Sequence, residues 1–128
     1  MEPRAFDPLD FLQLADELAA DDADEAALRT AIGRVYYAVF LLAGSKTPIR
    51  DRRAAHVRVR ESISPTNQRL APLLGGMSKY RDVADYEPTP ANPQFRDWRR
   101  NWELVRRNAD DVLDELSTLP DVTVDENA

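Results

Sequence analysis

The chain has 128 residues, a hydrophobic fraction of 43% and a formal net charge of −6, which fits one domain with its own core. It contains no cysteine and a single histidine, so disulfides, thiolate metal sites and multi-histidine metal sites within one chain are excluded, and we expect neither a metal nor a cofactor. The first residues lack the pattern of a secretory signal, and no apolar stretch approaches the ~20 residues of a membrane span. We therefore expect a soluble, cytoplasmic protein without membrane contact.

The charge is unevenly distributed along the chain. Residues 1–27 hold nine acidic residues and one basic residue, and residues 108–128 hold seven acidic residues and none that is basic. Residues 28–107 hold sixteen basic and seven acidic residues, a net charge of +9. Because a polyanion responds to the local field, the acidic total does not exclude nucleic acid as a ligand of the central segment.

The first helix is predicted near the N-terminus. Asp7 followed by Pro8 is typical of a helix start, because Asp caps the first turn and Pro is pre-organised for it. Apolar residues between positions 9 and 19 recur at helical spacing. The acidic run at residues 21–24 is expected to end this helix.

A second helix is predicted to begin at Asp24 or Glu25, where acidic side chains favour the helix dipole. Apolar residues follow at spacings of three and four, and Gly44 provides a C-terminal stop. Between residues 35 and 43 the helix is apolar on most sides. It is therefore expected to be central in the domain or to pack against a second subunit.

The third position of the bundle is predicted to be split in two. An arginine-rich helix is expected over residues 51–63, and Ser64 followed by Pro65 restarts the helical pattern. The pattern then continues to residue 84, with a break or kink expected at Pro72 because proline removes a backbone donor.

The last helix has the most regular pattern. Three prolines make residues 87–93 a loop, and Asn92 before Pro93 is expected to cap the helix that follows. The apolar residues alternate at spacings of three and four: Phe95, Trp98, Trp102, Val105, Ala109, Val112 and Leu116.

No segment alternates with period two as a strand would. The sequence therefore predicts an all-α protein, an up-and-down four-helix bundle with a short extra or kinked helix. One helical domain is expected over residues 1–119, and residues 120–128 are expected to form an acidic, flexible tail.

The single histidine is one candidate for a catalytic residue. His56 lies among arginines that disfavour its protonated form, so it should be largely neutral at pH 7 and able to act as a general base. The alternative is a partly exposed helix residue without a role. The arginines nearby in sequence are Arg52, Arg53, Arg58 and Arg60.

The segment from Tyr80 to Tyr86 is the second candidate. Arg81 and Asp85 are four residues apart, so they lie on one helix face and are expected to pair. The alternative is an ion pair near a helix end, flanked by two tyrosines that only pack. Tyr36 and Tyr37 on the second helix are expected to belong to the core more than to a site.

These motifs together resemble a known superfamily. Residues 34–40 read Arg-x-Tyr-Tyr-Ala-x-Phe, His56 follows in the next predicted helix, and residues 81–86 read Arg-x-x-Ala-Asp-Tyr. The combination resembles the HEPN superfamily, and within it an uncharacterised prokaryotic branch. The resemblance covers about residues 7–117, most of the chain.

The resemblance implies a four-helix bundle that is commonly dimeric and acts on RNA. Many HEPN proteins are ribonucleases, and many are toxins or defence proteins paired with a small nucleotidyltransferase. The nuclease members carry an arginine, a polar residue and a histidine, with four to six residues between the arginine and the histidine, and cleave RNA without metal. Counting from Arg81, the histidine positions are occupied by Tyr86, Glu87 and Pro88, so this sequence departs from the nuclease pattern.

The resulting hypothesis is a HEPN-domain protein that binds or acts on RNA or a nucleotide. Its expected role is that of a toxin-like or defence-associated protein. If it is an enzyme, the expected reaction is metal-independent cleavage of RNA. Candidate catalytic residues are Arg81, His56, Asp85 and Tyr86. Candidate nucleic-acid-binding residues are Arg50, Arg52, Arg53, Arg58 and Arg60. Alternatives are a non-catalytic module that binds a nucleotide or a nucleotidyltransferase partner, and a helical scaffold that only forms a homodimer.

Overall fold

The computed structural model describes residues 6–46 and 69–119. These residues form four α-helices and one 3₁₀ turn, with no strand among them: α1 (Leu9–Leu18), α2 (Glu25–Gly44), α3 (Leu70–Tyr86), the 3₁₀ turn (Pro93–Phe95) and α4 (Trp98–Leu116). The predicted all-α bundle is confirmed. The helix expected over residues 51–63, the start at Ser64 and Pro65, and the acidic tail at 120–128 lie outside the described residues.

Aspartates lie at the starts of the first two helices, although the cap position of α1 is Pro8, one residue after the predicted Asp7, and only α2 has the predicted cap. The Asp7 carboxylate accepts a hydrogen bond from the backbone N–H of Leu9 at 3.0 Å. The Asp24 carboxylate accepts one from Ala27 at 2.8 Å, in the usual N-cap geometry. α1 ends at Leu18, just before the acidic run, and α2 ends at Gly44.

Two predicted boundaries are wrong, both at prolines. α3 runs without interruption from Leu70, so Pro72 lies in its first turn. No break is needed there because first-turn N–H groups have no partner within the helix. The Asn92 side chain caps the short 3₁₀ turn, and Asp97 caps α4 by accepting from the Arg100 N–H at 3.1 Å.

α2 occupies the centre of the bundle and packs against α1, α3 and α4. Its central position confirms one of the two expectations for its apolar surface. The predicted stripe of α4 is confirmed as well, since every residue of the pattern from Phe95 to Leu116 is buried in a shared core. Burial of this kind supplies most of the stability of a helical domain.

The sequence expectation that no stretch is long enough to cross a membrane needs correction. α2 has 20 residues with a mean hydropathy of 1.3, which meets the length and composition of a membrane span. Half of this stretch is buried inside the domain. Its buried side chains contact the other three helices, as those of a core helix do.

Candidate functional site

The two motifs that suggested the family resemblance meet where α2 packs against α3. The guanidinium carbon of Arg81 lies 5.4 Å from the ring centre of Tyr36 and 5.8 Å from that of Tyr37. Both distances are within the range of cation–π attraction. Residues more than forty positions apart in sequence therefore form one surface.

Arg81 is a largely buried cation. Its side chain is 13% exposed, with Nη2 3.1 Å from an Asp82 carboxylate oxygen and Nη1 3.8 Å from one of Asp85. Burial lowers the pKa of Arg81, whereas the Asp82 carboxylate raises it. Tyr37, Tyr36 and Asp85 raise the pKa further, so that it lies above the usual value for arginine. The guanidinium is therefore charged at neutral pH.

One donor of Arg81 is unsatisfied. Its Nε is buried and has no hydrogen-bond partner in the part of the chain that the structure describes. A buried polar group without a partner is costly, and in native proteins it calls for an explanation such as a water or an ion. The carboxylates around Arg81 thus neutralise its charge, but its Nε–H group is left without an acceptor among the described residues.

Arg34 lies on the same surface and is half-buried. Its guanidinium carbon is 5.0 Å from the Phe11 ring of α1 and 5.3 Å from the Tyr37 ring, one turn further along α2. Among the described residues it forms these ring contacts and no ion pair. Aromatic faces therefore hold Arg34 in place without neutralising it.

Both arginines contact Tyr37: the guanidinium carbons of Arg34 and Arg81 lie 5.3 Å and 5.8 Å from its ring centre. We refer to Arg34, Tyr37 and Arg81 as the arginine–tyrosine row. Gly33, one residue before Arg34, lies near α3: a Cβ atom placed on it would lie 3.8 Å from the Asp85 Oδ1 atom, an ordinary van der Waals distance. The row therefore lies beside the contact between the two helices.

The structure brings some of the predicted site residues together and leaves others apart. The expected pair of Arg81 and Asp85 is present, although Asp82 lies closer to the arginine. Tyr86, at the end of α3, is 72% exposed, and no contact between it and Arg81 occurs in the described ranges. Tyr80 packs edge-on against the Phe95 ring at 5.0 Å, which supports its reading as a packing residue.

The remaining predicted site residues lie outside the described residues. These are His56 and the five arginines proposed to bind nucleic acid: Arg50, Arg52, Arg53, Arg58 and Arg60. The role of His56 as a catalytic residue together with Arg81 stays a prediction. Within the described ranges, no three acidic or histidine side chains are grouped as metal ligands would be.

Sequence reasoning missed the role of Arg29. Its guanidinium donates to the backbone carbonyls at the end of α3 and just beyond, at 3.2 Å (Ala84), 2.8 Å (Glu87) and 2.7 Å (Pro88). The same group lies 4.1 Å from the Trp98 ring of α4. Arg29 thus satisfies carbonyls that the helix leaves unpaired and joins three helices at one point.

Arg34 and Asp82 were also not singled out by the sequence, although Arg34 is the first residue of the Arg-x-Tyr-Tyr-Ala-x-Phe motif. The available signal was its spacing: an arginine three residues before a tyrosine on one helix lies over that ring. Its contact with Phe11 depends on how α1 packs, which no local spacing shows.

Comparison of the chain with models of known protein families, with curated proteins and with solved structures finds no match. The resemblance to the HEPN superfamily therefore stays a prediction from the motifs of this sequence.

Proposed function

We propose that this protein is a HEPN-like module that binds the phosphate groups of RNA or of a nucleotide through the arginine–tyrosine row. The observation that carries the proposal is Arg34, a half-buried guanidinium that has aromatic neighbours and no acidic partner in the described chain. The planar guanidinium presents a fork of donors that matches phosphate oxygens. Arg34 offers that fork already positioned.

The aromatic side chains beside the row fit the same ligand. The Tyr37 ring lies within cation–π distance of both cations. Phe6 is 55% exposed, and its ring centre lies 4.7 Å from that of Phe11, the residue that contacts Arg34. Proteins that bind single-stranded nucleic acid combine cations for the backbone with aromatic faces on which bases stack. The net charge of +9 over residues 28–107 supports the assignment to an anionic ligand.

RNA cleavage is the second candidate, favoured by the Asp85 carboxylate 3.8 Å from Arg81. In that reaction the arginine would stabilise the phosphate, and a base would take a proton from the attacking hydroxyl. Asp85 and His56 are the candidates for the base, whereas a phenolic hydroxyl such as that of Tyr86 is a poor base at neutral pH. Cleavage of tRNA or mRNA without metal that is unchanged in His56→Ala and Arg81→Ala would exclude this site.

The cellular role follows from the resemblance and is proposed with it: a toxin-like or defence-associated protein, acting as a homodimer or bound to a small nucleotidyltransferase. Co-purification with the product of a neighbouring gene tests the partner. A module that serves only as a partner-binding or scaffold protein would bind neither RNA nor nucleotide.

The binding proposal is tested by fluorescence anisotropy with a labelled hexauridine RNA and with a fluorescent nucleoside diphosphate. We expect Arg34→Gln to weaken binding of one of these probes about ten-fold, because a charge-assisted contact to phosphate is lost. Arg107→Gln is the matched control: it removes the same charge from an exposed position on α4. Equal losses in both variants, or none in Arg34→Gln, would contradict the proposal.

A further inference from the structure

The two cations of the arginine–tyrosine row differ in what they contact. Arg34 has no acidic partner within the described residues, whereas Arg81 has two carboxylates within ion-pair distance. Asp82 is the nearer of these, at 3.1 Å from Nη2, and its side chain is 51% exposed. One cation is therefore open to a ligand and the other is already occupied.

Helix geometry does not enforce the contact between Arg81 and Asp82. Residues at adjacent positions of a helix point in different directions, whereas residues four apart, such as Arg81 and Asp85, lie on one face. The pair with Asp82 forms because the flexible arginine reaches back to it. Ion pairs with a half-exposed partner are weak, since water readily replaces the protein group. The Asp82 carboxylate is thus easy to displace.

The donors of Arg81 favour such a displacement. With both carboxylates near Nη1 and Nη2, the buried Nε still has no hydrogen-bond partner in the described chain. A phosphate offers several acceptor oxygens and binds a guanidinium fork through two parallel hydrogen bonds. A phosphate that replaced Asp82 would satisfy Nη2 and Nε together.

We propose that Asp82 is an internal competitor for phosphate at Arg81, and that the row therefore selects ligands with two or more phosphate groups. This inference rests on the function proposed above. One phosphate binds Arg34 without displacing any carboxylate of the described residues. A second phosphate of the same ligand, held close by the first, displaces the Asp82 carboxylate from Arg81. A ligand with a single phosphate gains only the first contact.

The test is the affinity of the wild type and of Asp82→Asn for the labelled hexauridine and for the fluorescent nucleoside diphosphate. The corresponding nucleoside monophosphate, which has a single phosphate, should bind the wild type more weakly than the diphosphate does, and equal affinity would overturn the selection for two phosphates. We expect binding to the preferred probe to become about two- to five-fold tighter, the range set by the loss of a weak, half-exposed ion pair. In a protein that already carries Arg81→Gln, Asp82→Asn should not tighten binding, because the Asp82 carboxylate then has no guanidinium to pair with. Asp111→Asn, an exposed carboxylate on α4, is the control for net charge.

The outcomes separate this inference from the function on which it rests. Binding that is lost in Arg34→Gln but unchanged or weaker in Asp82→Asn overturns the competitor and leaves the phosphate site standing. A gain that persists in the Arg81→Gln background, or that Asp111→Asn reproduces, also overturns it, because the effect is then one of general charge. Absence of binding in both the wild type and Asp82→Asn overturns the phosphate site, and the competitor with it. Thermal unfolding followed by circular dichroism verifies that each variant is folded.

Discussion

Replacing Arg29 by alanine removes the side chain that joins α2 to the end of α3 and to α4. The Arg29 side chain is 15% exposed and donates three hydrogen bonds to backbone carbonyls, two of them shorter than 3.0 Å. It also lies over the Trp98 ring at 4.1 Å. The substitution should therefore destabilise the fold and loosen the segment that follows Asp85.

The magnitude follows from these contacts. Because carbonyls at a helix end regain water once the side chain is gone, each hydrogen bond is taken at a net value of about 0.5–1 kcal/mol. The cation–π contact adds about 0.5–1 kcal/mol. Arg29→Ala should then lower the free energy of unfolding by about 2–4 kcal/mol, and the melting temperature by roughly 8–16 °C.

Urea unfolding followed by far-ultraviolet circular dichroism measures this change. Arg29→Lys keeps the charge but loses the fork of donors, so it should cost about half as much. Arg100→Ala, on the exposed side of α4, should change the stability by less than about 0.5 kcal/mol. A loss below about 1 kcal/mol in Arg29→Ala, or an equal loss in Arg100→Ala, would refute the assigned role.

Two further substitutions test the helices that carry the site. Gly33→Ala should stabilise the protein by about 0.5–1 kcal/mol, because glycine is unfavourable inside a helix and the new methyl group would meet Asp85 at 3.8 Å, an ordinary contact. A destabilised Gly33→Ala variant in thermal unfolding would show that α2 and α3 approach more closely than described. Asp24→Ala should cost about 1 kcal/mol, because the cap of α2 is lost. A melting temperature equal to that of the wild type would contradict that cap.

The helices were predictable where short-range chemistry determines them. Asp24 caps its own helix through an N–H three residues away, and the apolar pattern of α4 depends only on the helical repeat. The predicted break at Pro72 was wrong because the cost of proline depends on its position in the helix, and the sequence did not fix where α3 begins. The start of α4 was misplaced because both Asn92 and Asp97 are good caps.

The site was predictable only in part. The pairing of Arg81 with Asp85 follows from a spacing of four on one helix. The role of Arg29 depends on carbonyls 55–59 residues away in sequence, and the environment of Arg34 depends on a phenylalanine from another helix. Contacts of this kind arise from tertiary packing, which periodicity and spacing in a single sequence do not contain.

The central claim is that Arg34 and Arg81 form a phosphate-binding surface beside Tyr37. It is tested most directly by titrating the labelled hexauridine RNA and the fluorescent nucleoside diphosphate into the wild type, Arg34→Gln and Arg107→Gln at several salt concentrations. The account predicts that Arg34→Gln binds its preferred probe about ten-fold more weakly and, if that probe is the RNA, with a shallower salt dependence, whereas Arg107→Gln behaves like the wild type. Binding by Arg34→Gln that equals the wild type in affinity and salt dependence would contradict it.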